Sequence, residues 1–291
     1  MTAETRRHFF REKILYNQKL ALLLWFGLAF IAVMLSHLHH KDINIYKIFK
    51  YVYIHATQHK NLYLLYGHEY EDVNMYGPVF SVLIAPFALL PDVIGSKLWV
   101  LGGAALLWYA IMKLPVKKEY RIAILVLCSH EMMNTASWYQ SNAYIAACIL
   151  LGFIMINKGK DGWALFFILL ATFIKIYGIV GLAFFFFSKD KLKFIGWFIL
   201  WSVVFFLLPL LVTSWDFLIQ SYRDWYDALV FKAAKNINTN IGNDFQDISV
   251  MGMIRRIFKY PELNNMFVYV PAVILFGLQY LQIKHYGDRL N

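Results

Sequence analysis

Apolar runs separated by short polar stretches dominate the chain, and their lengths set the elements. Leu20–Leu38 is a 19-residue apolar run, close to the roughly 20 residues that a helix needs to cross a hydrocarbon core. In the long stretch Lys41–Gly77, Ile45, Phe49 and Val52 recur at helical spacing with Lys47 and Lys50 off that face. This predicts an amphipathic helix lying on a membrane surface. Val79–Leu90 is apolar for only 12 residues, is bracketed by Pro78 and Pro91, and contains Pro86; it predicts a re-entrant or interfacial piece rather than a span. Further spans are expected over Ser96–Met112, Ile122–Trp138, Ala143–Ile156, Phe194–Thr213 and Met266–Ile283. Trp163–Phe187 is a 25-residue run, apolar except for Lys175. A break at Lys175-Ile176-Tyr177-Gly178 is expected to divide it into two short arms, since non-helical backbone at depth needs protein or a wet cavity beside it. Leu218, Tyr222, Trp225 and Leu229 mark a second surface helix. The expected architecture is all-α: one polytopic transmembrane domain over residues 1–291, about eight crossings, and long outer loops over 39–95 and 214–265.

Composition agrees with this pattern. The chain is 60% apolar, 18% aromatic and 16% charged, with a mean hydropathy of +0.51. An average soluble domain is about 45–50% apolar and about 25% charged. An ordinary soluble enzyme, a disordered chain and a coiled coil are thereby excluded. The formal net charge of +10 reflects basic residues in the loops. Arg6, Arg7, Arg11, Lys13 and Lys19 precede the first run, and Lys113, Lys117, Lys118 and Arg121 follow Ser96–Met112. They predict a cytoplasmic N-terminus that is a signal anchor rather than a cleaved leader. No basic patch belongs to a recognisable nucleic-acid module, so no nucleic-acid partner is expected. Cys128 and Cys148 lie in apolar stretches without ligand spacing and read as small buried hydrophobes.

Two charged residues stand out against this background. Asp42 follows the first span directly and suits two compatible roles, a helix N-cap and a general base at the membrane boundary. Lys175 is an isolated cation in an apolar run, expensive unless it meets an anion such as a lipid phosphate or snorkels to the interface. Gln140 and Asn142 sit in an expected outer hairpin, where neutral amides suit sugar hydroxyls. Glu69, Glu71 and Asp72, with His55, His59 and His68 nearby, read as a solvated acidic loop in preference to a divalent-metal site. No nucleotide-binding glycine fingerprint, P-loop or nucleophile elbow occurs. No cofactor and no metal is expected.

The order of these segments carries a resemblance. Asp42 and Tyr46, Asn61-Leu62-Tyr63, and Tyr76-Gly77-Pro78 running on to Pro91 resemble the first outer loop of glycosyltransferase family 87, whose usual Tyr-Pro-Pro here reads Tyr-Gly-Pro. Tyr139-Gln140-Ser141-Asn142 resembles that family's Gly-Gln-x-Asn hairpin, and Lys175-Ile176-Tyr177-Gly178 its Lys-x-Tyr-Pro break. Gln246–Arg256 is similar to its later outer-loop segment. The resemblance implies a C-type membrane glycosyltransferase helical bundle in a cell envelope, a bacterial plasma membrane, with the active face outside. It implies transfer of a hexose such as mannose from a polyprenyl-phosphate donor to a glycolipid or glycan acceptor, with inversion. Asp42 would be the base; Lys175, Arg255 and Arg256 would hold the donor phosphate; Asn61, Tyr63, Tyr76, Gln140, Asn142 and Tyr177 would contact sugar or acceptor. Relatives usually continue through several more helices than this chain does. The competing classes are a lipid or solute transporter or flippase, which broken helices and Lys175 also suit, and a non-catalytic subunit. The chain lacks the internal repeat of many transporters.

Overall fold

A computed structural model describes residues 11–38, 43–238, 249–260 and 262–281, and every regular element among them is helical. Contacts divide the chain into two compact units, residues 1–225 and 226–291. Among the described residues three helices are long and apolar enough to cross a membrane, Gln18–Ser36, Asp92–Met112 and Lys191–Leu211, and four shorter apolar helices accompany them. This is the signature of a membrane protein.

In the first unit a π-helical turn, Arg11–Leu15, precedes α1 (Gln18–Leu22) and α2 (Leu28–Leu38), which are joined through a second such turn, Leu23–Gly27, into one apolar rod. The Asn17 side chain caps it, accepting from the amides of Lys19 and Leu20 at 3.0 and 3.1 Å. After the rod, α3 (Asn44–Thr57) buries Tyr46, Phe49, Val52 and Ala56 along one face; of the expected stripe Phe49 and Val52 are buried and Ile45 is only half-buried. It packs on α4 (Phe80–Ala88), a nine-residue helix too short to span. The expected surface stretch up to Gly77 is helical only as far as Thr57. Residues 58–79 form a loop held by aromatic rings and by the buried His55, whose Nε2 lies 2.7 Å from Glu69 Oε2.

The central bundle contains α5 (Asp92–Met112), α8 (Asn142–Asn157), α9 (Asp161–Ile174) and α10 (Lys191–Leu207), with α5 on α8, α8 on α9 and α9 on α10. The expected single span Ile122–Trp138 is a correction. It is two helices, α6 (Lys118–Leu127) and α7 (Ser129–Ser137), parted at Cys128 where φ is −90° and ψ is 2°. The Ser129 hydroxyl donates to Val126 O at 2.8 Å there, giving the backbone a local alternative to the helical bond. The polar run His130, Glu131 and Asn134 lies exposed on α7. α7 packs on α2.

The apolar run around Lys175 is broken as expected. α9 ends at Ile174, Lys175 is extended (φ −148°, ψ 122°), and Ile176–Phe187 continues as a 3₁₀ helix folded back on α9. The carbonyl freed at the end of α9 is taken up by a segment about a hundred residues earlier: Gly77 N–H donates to Ile174 O at 3.0 Å. α11 (Trp215–Asn238) begins in the first unit, where Trp225 Nε1 donates to Met75 O at 3.1 Å. In the second unit, α12 (Val250–Phe258) is capped by Ser249, whose hydroxyl accepts from Gly252 N at 3.0 Å, and α13 (Met266–Leu281) is apolar.

Two outcomes are expected from this packing. A Cβ on Gly77 would collide with the Phe173 carbonyl and touch Trp225 at 3.0 Å. Gly77→Ala should therefore destabilise the protein by about 1–3 kcal/mol, whereas Gly196→Ala, with open space around its Cβ, should be near neutral; thermal unfolding in detergent reads both. The second concerns acid. Burial drives the His55 pKa below its ordinary 6.5, against the Glu69 carboxylate that pulls it up, and Lys60 adds to the lowering. The neutral ring thus contributes stability above about pH 6.5, lost as pH falls through the lowered value. Hydrogen exchange at Tyr70, whose amide donates to Tyr66 O at 3.0 Å, should accelerate between about pH 7.5 and about pH 5 after correction for intrinsic rates. A flat profile would refute it.

Candidate functional site

The break after α9 places a lysine where three other segments end. Lys175 Nζ donates to Asn142 Oδ1 at 3.3 Å, and lies 5.5 Å from the centre of the Tyr76 ring and 5.2 Å from that of Tyr177. The side chain is partly buried, and among the described residues no carboxylate pairs with it. Aromatic faces and a neutral amide oxygen attract an ammonium without neutralising it. The site keeps a net positive charge.

Each neighbour is held by its own element. Asn142 opens α8, and its amide donates to Gln140 Oε1. The N-terminus of α8 therefore brings the positive end of its dipole to the same place as the ammonium. Tyr76 is clamped by rings, 4.8 Å from Phe49 and 4.9 Å from Phe80, and its hydroxyl accepts from Ser141 Oγ at 3.1 Å. Burial pushes the Tyr76 phenol up to about 12, with Ser141 opposing; it stays a neutral phenol at physiological pH. Tyr177 is 63% exposed, so its ring is open to a ligand.

The turn before Asn142 explains one feature of the hairpin. Tyr139 has φ of 53°, the left-handed region that favours glycine, at the position where the resembled motif has glycine. The strain is held by packing. Trp99 Nε1 donates to Tyr139 O at 3.0 Å, and Tyr144, stacked on Trp99 at 4.2 Å, donates its hydroxyl to Trp99 O at 2.7 Å. The two glycines at the other breaks have packing reasons too. Gly77 approaches the backbone of α9 and donates to it, which a proline could not do, and a Cβ on Gly178 would run into the backbone of Ala171 and Thr172.

Five of the expected residues, Tyr76, Gln140, Asn142, Lys175 and Tyr177, thus share one place. Asn61 and Tyr63 stand behind it. Asn61 Nδ2 donates to Asp224 Oδ2 at 2.8 Å while its oxygen accepts from Tyr63 N at 2.7 Å. The buried Tyr63 donates its hydroxyl to Tyr76 O at 3.0 Å. Both residues fix the Tyr76 segment. Asp42 lies outside the described residues. The described chain on either side converges on Tyr139: the Ser36 hydroxyl is beside the Tyr139 hydroxyl, and the Tyr46 ring is 6.5 Å from the Tyr139 ring. Arg255 and Arg256 belong to the second unit. Arg255 is buried there and donates to Leu263 O at 3.2 and 2.8 Å and to Asn265 Oδ1 at 2.9 Å, closing the turn between α12 and α13; Arg256 is exposed. Glu69 faces His55, and no group of three metal-ligating side chains gathers among the described residues.

Sequence reasoning missed the positioning residues Ser141, Trp99, Tyr144 and Asp224. Only Asp224 had a local signal, the carboxylate one helical turn after Gln220, which donates to it at 2.8 Å. Ser141 lies inside a recognised motif but reads as an ordinary turn residue. Trp99 and Tyr144 sit in apolar runs where aromatics are common.

An unpaired cation over aromatic faces, beside paired amides and a helix N-terminus, can hold a phosphate and offer hydrogen bonds to hydroxyls next to it. Comparison with known proteins bears on what such a site serves. No curated protein and no solved structure matches the chain. The sequence model of glycosyltransferase family 87 matches residues 74–283, a stretch that includes Tyr76, Gln140, Asn142, Lys175 and Tyr177. With well over half of its length matched, the chain belongs to glycosyltransferase family 87 and is a glycosyltransferase of the membrane.

Proposed function

We propose that this glycosyltransferase moves a hexose, mannose being the leading case, from a polyprenyl-phosphate donor to a hydroxyl of a glycolipid or glycan acceptor. The observation that carries the reading is Lys175, a cation at a helix break in an apolar bundle with aromatic and amide neighbours and no described carboxylate. A buried or half-buried ammonium without a counter-ion is costly, and a lipid phosphate supplies the missing charge. The arrangement of basic loops supports a multi-pass chain acting as one membrane domain, with a cytoplasmic N-terminus and the site on the outer face of a bacterial plasma membrane.

In this reading Asp42 takes the proton from the acceptor hydroxyl as its oxygen attacks the anomeric carbon. The bond from that carbon to the donor phosphate oxygen breaks, and polyprenyl phosphate departs with the electron pair. One displacement inverts the centre. Phosphate leaves well as an anion, so no general acid is needed; Lys175 and the N-terminus of α8 stabilise the charge that grows on it. Gln140, Asn142 and the exposed Tyr177 present the groups that face sugar hydroxyls, and Asn61 and Tyr63 act through Tyr76. Asp42 stands four residues before Tyr46, a reach of at most about 14 Å of extended chain. Tyr46 in turn borders the turn that leads to Asn142.

Purified protein incubated with labelled polyprenyl-phosphate hexoses and a panel of glycolipid acceptors tests the reading directly: new inverted glycoside is expected. Asp42→Asn should lower kcat by about 100- to 10,000-fold while donor binding stays near normal; an active Asn variant would remove Asp42 as the base. Lys175→Ala should raise the KM for donor by about 10- to 100-fold and leave the acceptor KM little changed. Equal effects on the two substrates would assign Lys175 to packing.

A further inference from the structure

One exposed face of the bundle is polar where its neighbours are not. On α7 and its cap residue Trp138, the side chains of His130, Glu131, Asn134 and Trp138 are all exposed. They follow one another at spacings of three and four residues, which sets them on one helix face. From His130 to Trp138 that face runs about 12 Å at 1.5 Å per residue. Among the described residues no hydrogen bond, ion pair or ring contact engages any of the four side chains. The helix on which α7 packs, α2, exposes Phe30, Ile31 and Leu35 instead. Acyl chains can cover that apolar surface, but a face bearing a carboxylate, an imidazole and an amide needs water or a polar ligand against it. The face also leads into the site. Trp138, 60% exposed, precedes the strained turn at Tyr139, and Gln140 and Asn142, the amide pair beside Lys175, follow directly.

We propose that this face of α7 is a subsite for the saccharide of the acceptor, holding the sugars next to the one whose hydroxyl is attacked. The inference rests on the transfer reading above and adds where the acceptor lies. The chemistry suits a neutral, hydroxyl-rich ligand. The Glu131 carboxylate accepts hydrogen bonds, the Asn134 amide both donates and accepts, and the His130 imidazole does the same in its neutral form. The open indole of Trp138 offers a flat apolar surface to the C–H face of a sugar ring. Charge gives the direction of binding. The Glu131 carboxylate repels an anionic group while the Lys175 ammonium attracts one, so a donor phosphate stays at the Asn142 end and a neutral glycan extends along α7.

The test uses the full-length protein in nanodiscs. A mannose trisaccharide glycoside with a photoreactive group on the sugar farthest from the attacked end should label peptides of α7 and the turn that follows it. Excess unlabelled trisaccharide should suppress the labelling, and excess polyprenyl phosphate should not. In the transfer assay, Trp138→Ala and Asn134→Ala should each raise the KM for a trisaccharide-headed lipid acceptor by about tenfold. For a lipid acceptor with a single sugar the rise should be no more than about twofold, and the donor KM should hold. Trp138→Phe, which keeps a ring face, should recover most of the loss, and unfolding temperatures check that each variant is intact. Equal losses on the two acceptors, a raised donor KM in their place, or labels confined to other helices would overturn the inference. If α7 is labelled as expected but no sugar is transferred from any donor, the transfer reading fails and the saccharide subsite stands. If sugar is transferred and α7 stays unlabelled, only the subsite fails.

Discussion

The contact on which the site depends is a single backbone hydrogen bond between distant parts of the chain, from Gly77 N–H to Ile174 O at 3.0 Å. A helix that stops inside an apolar bundle leaves carbonyls with no water to satisfy them. The Tyr76-Gly77 segment meets one of those carbonyls, and it can come close enough because Gly77 has no side chain. That approach sets Tyr76 beside Lys175. The rest of the loop then follows through Tyr63, Asn61 and Asp224, each handing its polar group to the next.

Around that contact the electrostatics are unbalanced in one direction. Lys175 has ring faces, an amide oxygen and a helix N-terminus as neighbours. None cancels its charge. In a low-dielectric bundle such an arrangement raises the energy of the empty site relative to one holding an anion, so binding of a phosphate relieves a cost already present in the fold. In the proposed reaction the same ammonium is in place when further negative charge develops on the departing phosphate. Binding and catalysis would draw on one feature.

Several of these residues are legible in the amino-acid chain taken alone. Lys175 announces itself because a cation within an apolar run is rare for an energetic reason. The pair Gln140 and Asn142 falls in a polar gap between apolar runs. The order of Tyr76-Gly77-Pro78, the amide hairpin and the lysine break points to the family whose model the chain matches. Asn61 and Tyr63 are legible as special but not as supports, since only three-dimensional neighbours reveal that their polar atoms are engaged. The run Ile122–Trp138 reads wrongly as one span because hydropathy averaging hides a break at Cys128 and the polar face of α7.

Hydrophobic periodicity and run length by themselves determined that this is a helical membrane protein and that its chain breaks at Lys175; both are local properties, set by side chains within a few turns of one another. Tertiary structure alone decided which breaks meet. It gave Gly77 to Ile174, Ser141 to Tyr76 and Trp99 to the strained turn at Tyr139. Those pairings join residues far apart in the chain through close packing and directional hydrogen bonds. No local pattern encodes such distances, because they depend on how every intervening helix is packed.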